Sequence, residues 1–105
     1  MSIRHIVLFK FNDGVSWRDP RAVQAAEMSA SHPEHIQEIQ EWMVGRNATD
    51  RDIAYDFAVI GTFRDRDALD RYMCHPHHQN GVAMWRELST WAVVDLEEKR
   101  PSGSP

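Results

Sequence analysis

A chain of 105 residues that is 42% hydrophobic, with four Trp and four Phe, holds enough apolar material for one domain. At this length a chain covers such a core imperfectly, so a second copy is a natural complement. Its net charge of −4 and scattered, mostly arginine cations exclude a nucleic-acid module built on a basic stripe, and no apolar run approaches the roughly 18 residues of a membrane span.

One cysteine, Cys74, cannot close an internal disulfide, and Met1-Ser2-Ile3-Arg4-His5 lacks a signal-peptide layout, so the expected setting is a reducing cytoplasm. Ile3 to Phe11 alternates as a strand, with His5, Val7, Phe9 and Phe11 beside Ile3 on one face. Arg4, Ile6, Leu8 and Lys10 make the other face apolar in the middle and charged at its ends. A strand apolar on both faces is covered on both. One cover is helical; the other is expected to be the sheet of a second copy.

Asn12-Asp13-Gly14 is a turn, and Ser16 or Asp19 can cap a helix whose first turn holds Pro20. That helix is expected from about Pro20 to about Ser31 and to end at Pro33. Its inward side chains are read as Val23, Ala26 and Ala30, with Ala22 and Met28 nearby. Such small side chains mean either a weakly packed surface helix or room for a cavity against the sheet. Ile36 to Val44 alternates loosely as a strand, Gly45 to Asp50 is a loop, and Ala54 to Phe63 is a second clear strand. Asp65 caps a short helix with Ala68, Leu69, Tyr72 and Met73 on one stripe.

Arg71-Tyr72-Met73-Cys74-His75-Pro76-His77-His78-Gln79 concentrates the chemistry, with three of the six histidines beside one of the two tyrosines. Pro76 pushes His75 out of helical dihedrals and starts the next helix without cost. That helix carries His78, Val82 and Trp85 on one face. Trp91 to Leu96 is the last strand, and residues 99–105 are expected to be a disordered tail after a single domain over residues 1–98. The order β-α-β-β-α(α)-β is a ferredoxin-like α+β arrangement, an antiparallel sheet with helices on one face.

The opening Arg4-His5-Ile6-Val7-Leu8-Phe9-Lys10-Phe11, the loop Gly45-Arg46-Asn47, the strand Tyr55-Asp56-Phe57-Ala58-Val59, the run from Leu69 through His75-Pro76-His77-His78, and the ending Trp91-Ala92-Val93-Val94-Asp95 together resemble the stress-responsive dimeric α/β-barrel (Dabb) family. The resemblance runs from Ile3 to about Glu97. It implies a homodimer whose two sheets close a barrel, each subunit holding a pocket between sheet and helices. The best understood enzymatic relative is a plant olivetolic acid cyclase, which closes a linear polyketide by an aldol reaction without metal or organic cofactor. Its strand-one histidine, its tyrosine and the second histidine of His-Pro-x-His correspond to His5, Tyr72 and His78. The chain departs from the family pattern in an Ala- and Ser-rich first helix, in Ser31-His32-Pro33-Glu34-His35, and in a polar His77 within the motif.

Each of these residues also has a plainer use. His78 is the candidate general base, against a histidine that satisfies a helix end. Tyr72 is the candidate oxyanion or acid partner, against a buried phenol bonded to backbone. His5 orients one of them, or is a satisfied core histidine. Val7, Phe9, Trp85 and His75 are assigned to substrate contact, although His75, preceding proline, suits capping or bracing the junction better than acting on substrate. A metal held by His75, His77 and His78, with or without His5, is the rival to this reading, but adjacent His77 and His78 diverge on a helix and no Cys or carboxylate falls in register, so no metal and no cofactor are expected. Cys74 is read as a small hydrophobe, and Trp42, Trp85 and Trp91 as core or as an aromatic pocket wall. The substrate class is a hydrophobic or aromatic molecule with a carbonyl, processed by proton abstraction and aldol-type cyclisation; the alternatives are a cofactor-independent oxygenase of an aromatic, or a stress-related ligand-binding dimer.

Overall fold

The computed structural model describes residues 2–98. The tail expected over 99–105 lies outside the described residues. Strand β1 (Ser2–Phe11) is followed by helix α1 (Pro20–His35), strands β2 (Ile39–Arg46) and β3 (Phe57–Phe63), helices α2 (Arg66–Cys74) and α3 (Pro76–Arg86), and strand β4 (Ser89–Glu98). The four strands form one antiparallel sheet in the order β2-β3-β1-β4, the ferredoxin-like α+β fold. Among the described residues no helix is long and apolar enough to cross a membrane.

β1 is central, and its alternation sorts the molecule. His5, Val7 and Phe9 are buried toward the helices. There Phe9 stacks on Trp85 of α3 with ring centroids 4.3 Å apart. Val7, Phe9, Phe57, Val59, Trp85 and Leu88 pack with Ala22 and Ala25 of α1 as one cluster, and Ile36, Phe63, Ala68, Leu69 and Tyr72 form a second at the other end. On the opposite face the register sets Ile6 against Ile60 and Val94, and Leu8 against Ala58 and Ala92. Among the described residues nothing covers that face: Leu8, Met43, Val94 and Leu96 are all more than a third exposed.

Helix α1 differs from expectation twice. It does not stop at Pro33 but runs to His35 with Pro33 inside it. A proline in a helix leaves the carbonyl four residues earlier without its donor. Here that carbonyl belongs to Ser29, and the Trp42 indole Nε1–H donates to it at 3.0 Å. The extra turn then closes with the Ile36 amide donating to the His32 carbonyl. The inward stripe is Ala22, Ala25, Ser29 and His32, whereas Ala30 is exposed and Val23 and Ala26 only half-buried. The start at Pro20 agrees, but the expected face of Val23, Ala26 and Ala30 lies one residue position past the buried one.

The strand bounds shift for local reasons. Ile36 caps α1 instead of opening β2, which begins at Ile39 and includes Gly45 and Arg46. β3 begins at Phe57 and not Ala54, because Asp56 turns its carboxylate to the Phe11 amide at 2.8 Å and its own amide to the Phe9 carbonyl. β4 is longer than read, from Ser89 to Glu98. Met73, placed inward on α2, is exposed.

Candidate functional site

The α2–α3 corner is built by two caps on one residue. His75 is extended (ψ 135°), as a residue before proline must be. Its amide closes α2 on the Tyr72 carbonyl, and its Nδ1 accepts the His77 amide to open α3. The sharp join sets Tyr72, at the end of α2, beside His78, one turn into α3: their ring centroids are 4.3 Å apart. His5 approaches from β1, its ring 5.6 Å from that of Tyr72. The three side chains named from the sequence thus border one cavity of about 290 Å³, walled by Val7, Phe9, Val59 and Trp85. Val82 also lines it. Val93, on the helix side of the edge strand, is half-exposed, so the cavity opens toward β4.

His75 is the exception among the assigned contacts. Its imidazole is used by the helix cap and does not line the cavity, the bracing use that its place before proline favours. Two groups of the site were not found from the sequence: Asp95, which holds His5 from behind, and His32 in the cavity wall. Asp95 stands opposite His5 in the β1–β4 register, and its Oδ1 lies 2.6 Å from His5 Nδ1. Alternation of Trp91, Val93 and Asp95 on the helix side of β4 carries that signal once the register is known. His32 lines the cavity from α1, 3% exposed; its signal is the seven-residue spacing from Ala25, hidden by ending the helix at Pro33.

Each polar group has a defined state. His78 Nδ1 lies 3.1 Å from the Met73 carbonyl, which can only accept, so Nδ1 carries the proton and Nε2 is the free acceptor. Burial, partly opposed by that hydrogen bond, holds His78 below the usual imidazole range, so it is neutral at neutral pH. The Tyr72 hydroxyl donates to no described residue, and no fully buried side-chain oxygen lacks a partner among the described residues. The phenol oxygen of this 2% exposed side chain therefore reaches the cavity. Burial, with the charge of Asp95 adding to it, raises the phenol's pKa, so it remains a protonated donor. Trp85 is fixed by its indole donating to Ser29 Oγ at 2.9 Å. The result is one unprotonated nitrogen and one hydroxyl donor against an apolar wall.

His77 turns away from His78. It meets His32 Nδ1 to Nδ1 at 2.7 Å and stacks on His35 at 4.1 Å. Among the described residues no three His, Cys, Asp or Glu side chains converge as a metal site. Cys74 is exposed.

Comparison with known proteins follows the same outline. The chain is 47% identical over 95 residues, 90% of this chain and 98% of the other, to an uncharacterised protein of Streptomyces coelicolor. It superposes with a TM-score of 0.81 on a dimeric ferredoxin-like protein of Thermobifida fusca, 28% identical, covering 91% of this chain and 90% of that one. A hydroxynitrile lyase of Passiflora edulis shares the fold with a TM-score of 0.77 at 18% identity, covering 95% and 97%. The model of the stress responsive A/B barrel domain, Dabb, matches residues 3–98. This chain belongs to the Dabb family.

Proposed function

We propose that the protein is an acid–base enzyme acting on a small hydrophobic carbonyl compound, working as a homodimer and needing no cofactor. His78 is the base, Tyr72 the donor to the carbonyl oxygen, and His5, held by Asp95, the group that orients Tyr72. The single observation that carries this reading is the pairing of a free His78 Nε2 with a free Tyr72 hydroxyl on adjoining rings in one cavity.

The chemistry follows from those states. His78 Nε2 takes a proton from the carbon next to a carbonyl, and the electron pair of that C–H bond moves onto the carbonyl oxygen as an enolate. The Tyr72 hydroxyl hydrogen-bonds the new charge where it develops, in a place where few water molecules compete. The enolate carbon then attacks a second carbonyl of the same molecule. One C–C bond forms, and the resulting alkoxide recovers the proton from His78. This is an aldol closure of the kind carried out by olivetolic acid cyclase, whose active groups His5, Tyr72 and His78 resemble by motif position. A volume of about 290 Å³ sits at the small end of ligand cavities, roughly 300–1,000 Å³, and supports a substrate of about one ring. A lyase is already among the proteins that share this fold.

Dimerisation is supported by the outer sheet face. Leu8, Val94, Leu96 and Met43 are exposed there around half-buried Ile6 and Ile60, an apolar patch of the kind that marks an interface.

Exchange of the methyl protons of acetophenone in D2O, followed by NMR, tests the chemistry without knowledge of the natural substrate. Exchange above the buffer rate, lost in His78→Ala and Tyr72→Phe, is expected. Exchange at the buffer rate in the native protein, or unchanged in both variants, refutes the assignment. Oxygen consumption with phenols would instead identify an oxygenase, and ligand binding with neither activity a binding protein.

A further inference from the structure

The mechanism above leaves unused the histidine pair that joins α1 to α3. We propose that His32 is a second hydrogen-bond donor of the cavity, completing with Tyr72 a two-donor cradle for one carbonyl oxygen, and that His77 holds its proton on the cavity side. The inference rests on the carbonyl-binding reading of the site and adds the residue pair that determines it.

Four observations lead there. His32 is buried, lines the cavity, and has its ring 6.2 Å from Tyr72 and 5.9 Å from His78. Its Nδ1 is committed to His77 Nδ1 at 2.7 Å. Its Nε2 bonds no described residue, and since no fully buried side-chain nitrogen goes unpartnered among the described residues, that nitrogen touches the cavity. Finally, Gly81 lies against the same edge: a Cβ there would come within 3.1 Å of Nε2, so a side chain at this position would crowd the nitrogen.

A contact between two imidazole nitrogens at this distance is a hydrogen bond with one proton in it. Either His32 donates and its Nε2 is bare, or His77 donates and His32 carries its proton on Nε2, facing the cavity. His77 is the more solvated partner and the one able to take a second proton. Once it does, both its nitrogens are donors and only the second arrangement survives. His32 itself stays neutral, because burial and the surrounding imidazoles of His77, His78, His35 and His75 hold it down to about 3. The groups facing His77 are His32, His35 and Glu34 from α1 and His75 from the junction; Glu34 alone favours the added charge. The exposed end of the cluster therefore sets the hydrogen-bonding character of a buried nitrogen beside Tyr72.

Two measurements on the full chain test this. In histidine-15N NMR followed downward in pH until His77, which burial holds below the usual imidazole range, is seen to take its second proton, His32 is expected as the Nε2–H tautomer; the Nδ1–H tautomer at that point overturns the proposal. In titrations near the same pH, His32→Phe and His77→Phe are each expected to weaken acetophenone about tenfold, the worth of one hydrogen bond, and to leave toluene within about twofold. Equal losses for both probes, no loss in either variant, or no saturable acetophenone binding by the native protein overturns it. If acetophenone responds to His32 and His77 while proton exchange is absent from the native protein, the cradle stands and the catalytic reading falls.

Discussion

Burial of His32 makes a specific demand on stability. In the unfolded chain its imidazole titrates near 6.5; in the native protein burial, and then the neighbouring imidazoles, hold it down to about 3. Between those values the unfolded chain binds a proton that the native state refuses, so stability falls as pH drops through this window. At pH 5.0 the unfolded ring is about 97% protonated and the native ring essentially neutral, which removes about 2 kcal/mol relative to pH 7.5. The figure changes little with the native value so long as that value lies well under 5. Urea unfolding at fixed protein concentration, followed by tryptophan fluorescence at the two pH values, gives the loss directly. His32→Leu is destabilised at both, since it loses the bond to His77, yet it should lose about 2 kcal/mol less than the native protein on acidification. Carboxylates and the histidines not bonded to His32 cancel in that comparison, and the contribution of His77, which loses its partner, is read separately from its NMR titration in the two proteins. Equal pH dependence in the two proteins would refute the reasoning.

Other consequences are as direct. Trp42→Phe removes the indole donor to the Ser29 carbonyl freed by Pro33, and should cost about 1–3 kcal/mol with a loss of helical signal at the end of α1; unchanged stability would mean that water serves the carbonyl equally well. Leu8→Glu places a charge in the centre of the uncovered sheet face and should convert dimer to monomer by light scattering at micromolar protein. The exchange activity should persist below pH 6.5, since His78 is held under the usual imidazole range and keeps its base form there. It should persist equally above pH 10, because the phenol is raised. A fall centred at 6.5 or above would separate His78 from the base.

Much of this was readable in the chain because two signals are local. Alternation in β1 needs only nine residues, and its two apolar faces already state that each is covered. The Tyr72–Pro76–His78 corner follows from what proline does to His75 and from helical spacing on either side. What escaped depended on partners distant in sequence. Pro33 ends a helix unless something else bonds the Ser29 carbonyl, and that donor, Trp42, comes from another element. With the inward face set one position late, Ser29 lost its place on the buried stripe, and ending the helix near Ser31 left out His32. Asp95 became visible only through the β1–β4 register, which no single strand reveals. His75 was grouped with its cavity-lining neighbours, but a residue held extended before a proline is placed to cap the following helix.

The central claim is that an imidazole and a phenol share one hollow suited to a carbonyl compound. A crystal structure of the protein with acetophenone bound tests it most directly. The account predicts the carbonyl oxygen at hydrogen-bond distance, about 2.7 Å, from the Tyr72 hydroxyl, with the methyl carbon turned to His78 Nε2. Acetophenone seated on the outer sheet face with the hollow left empty, or held in the hollow with its oxygen turned from Tyr72, would contradict it.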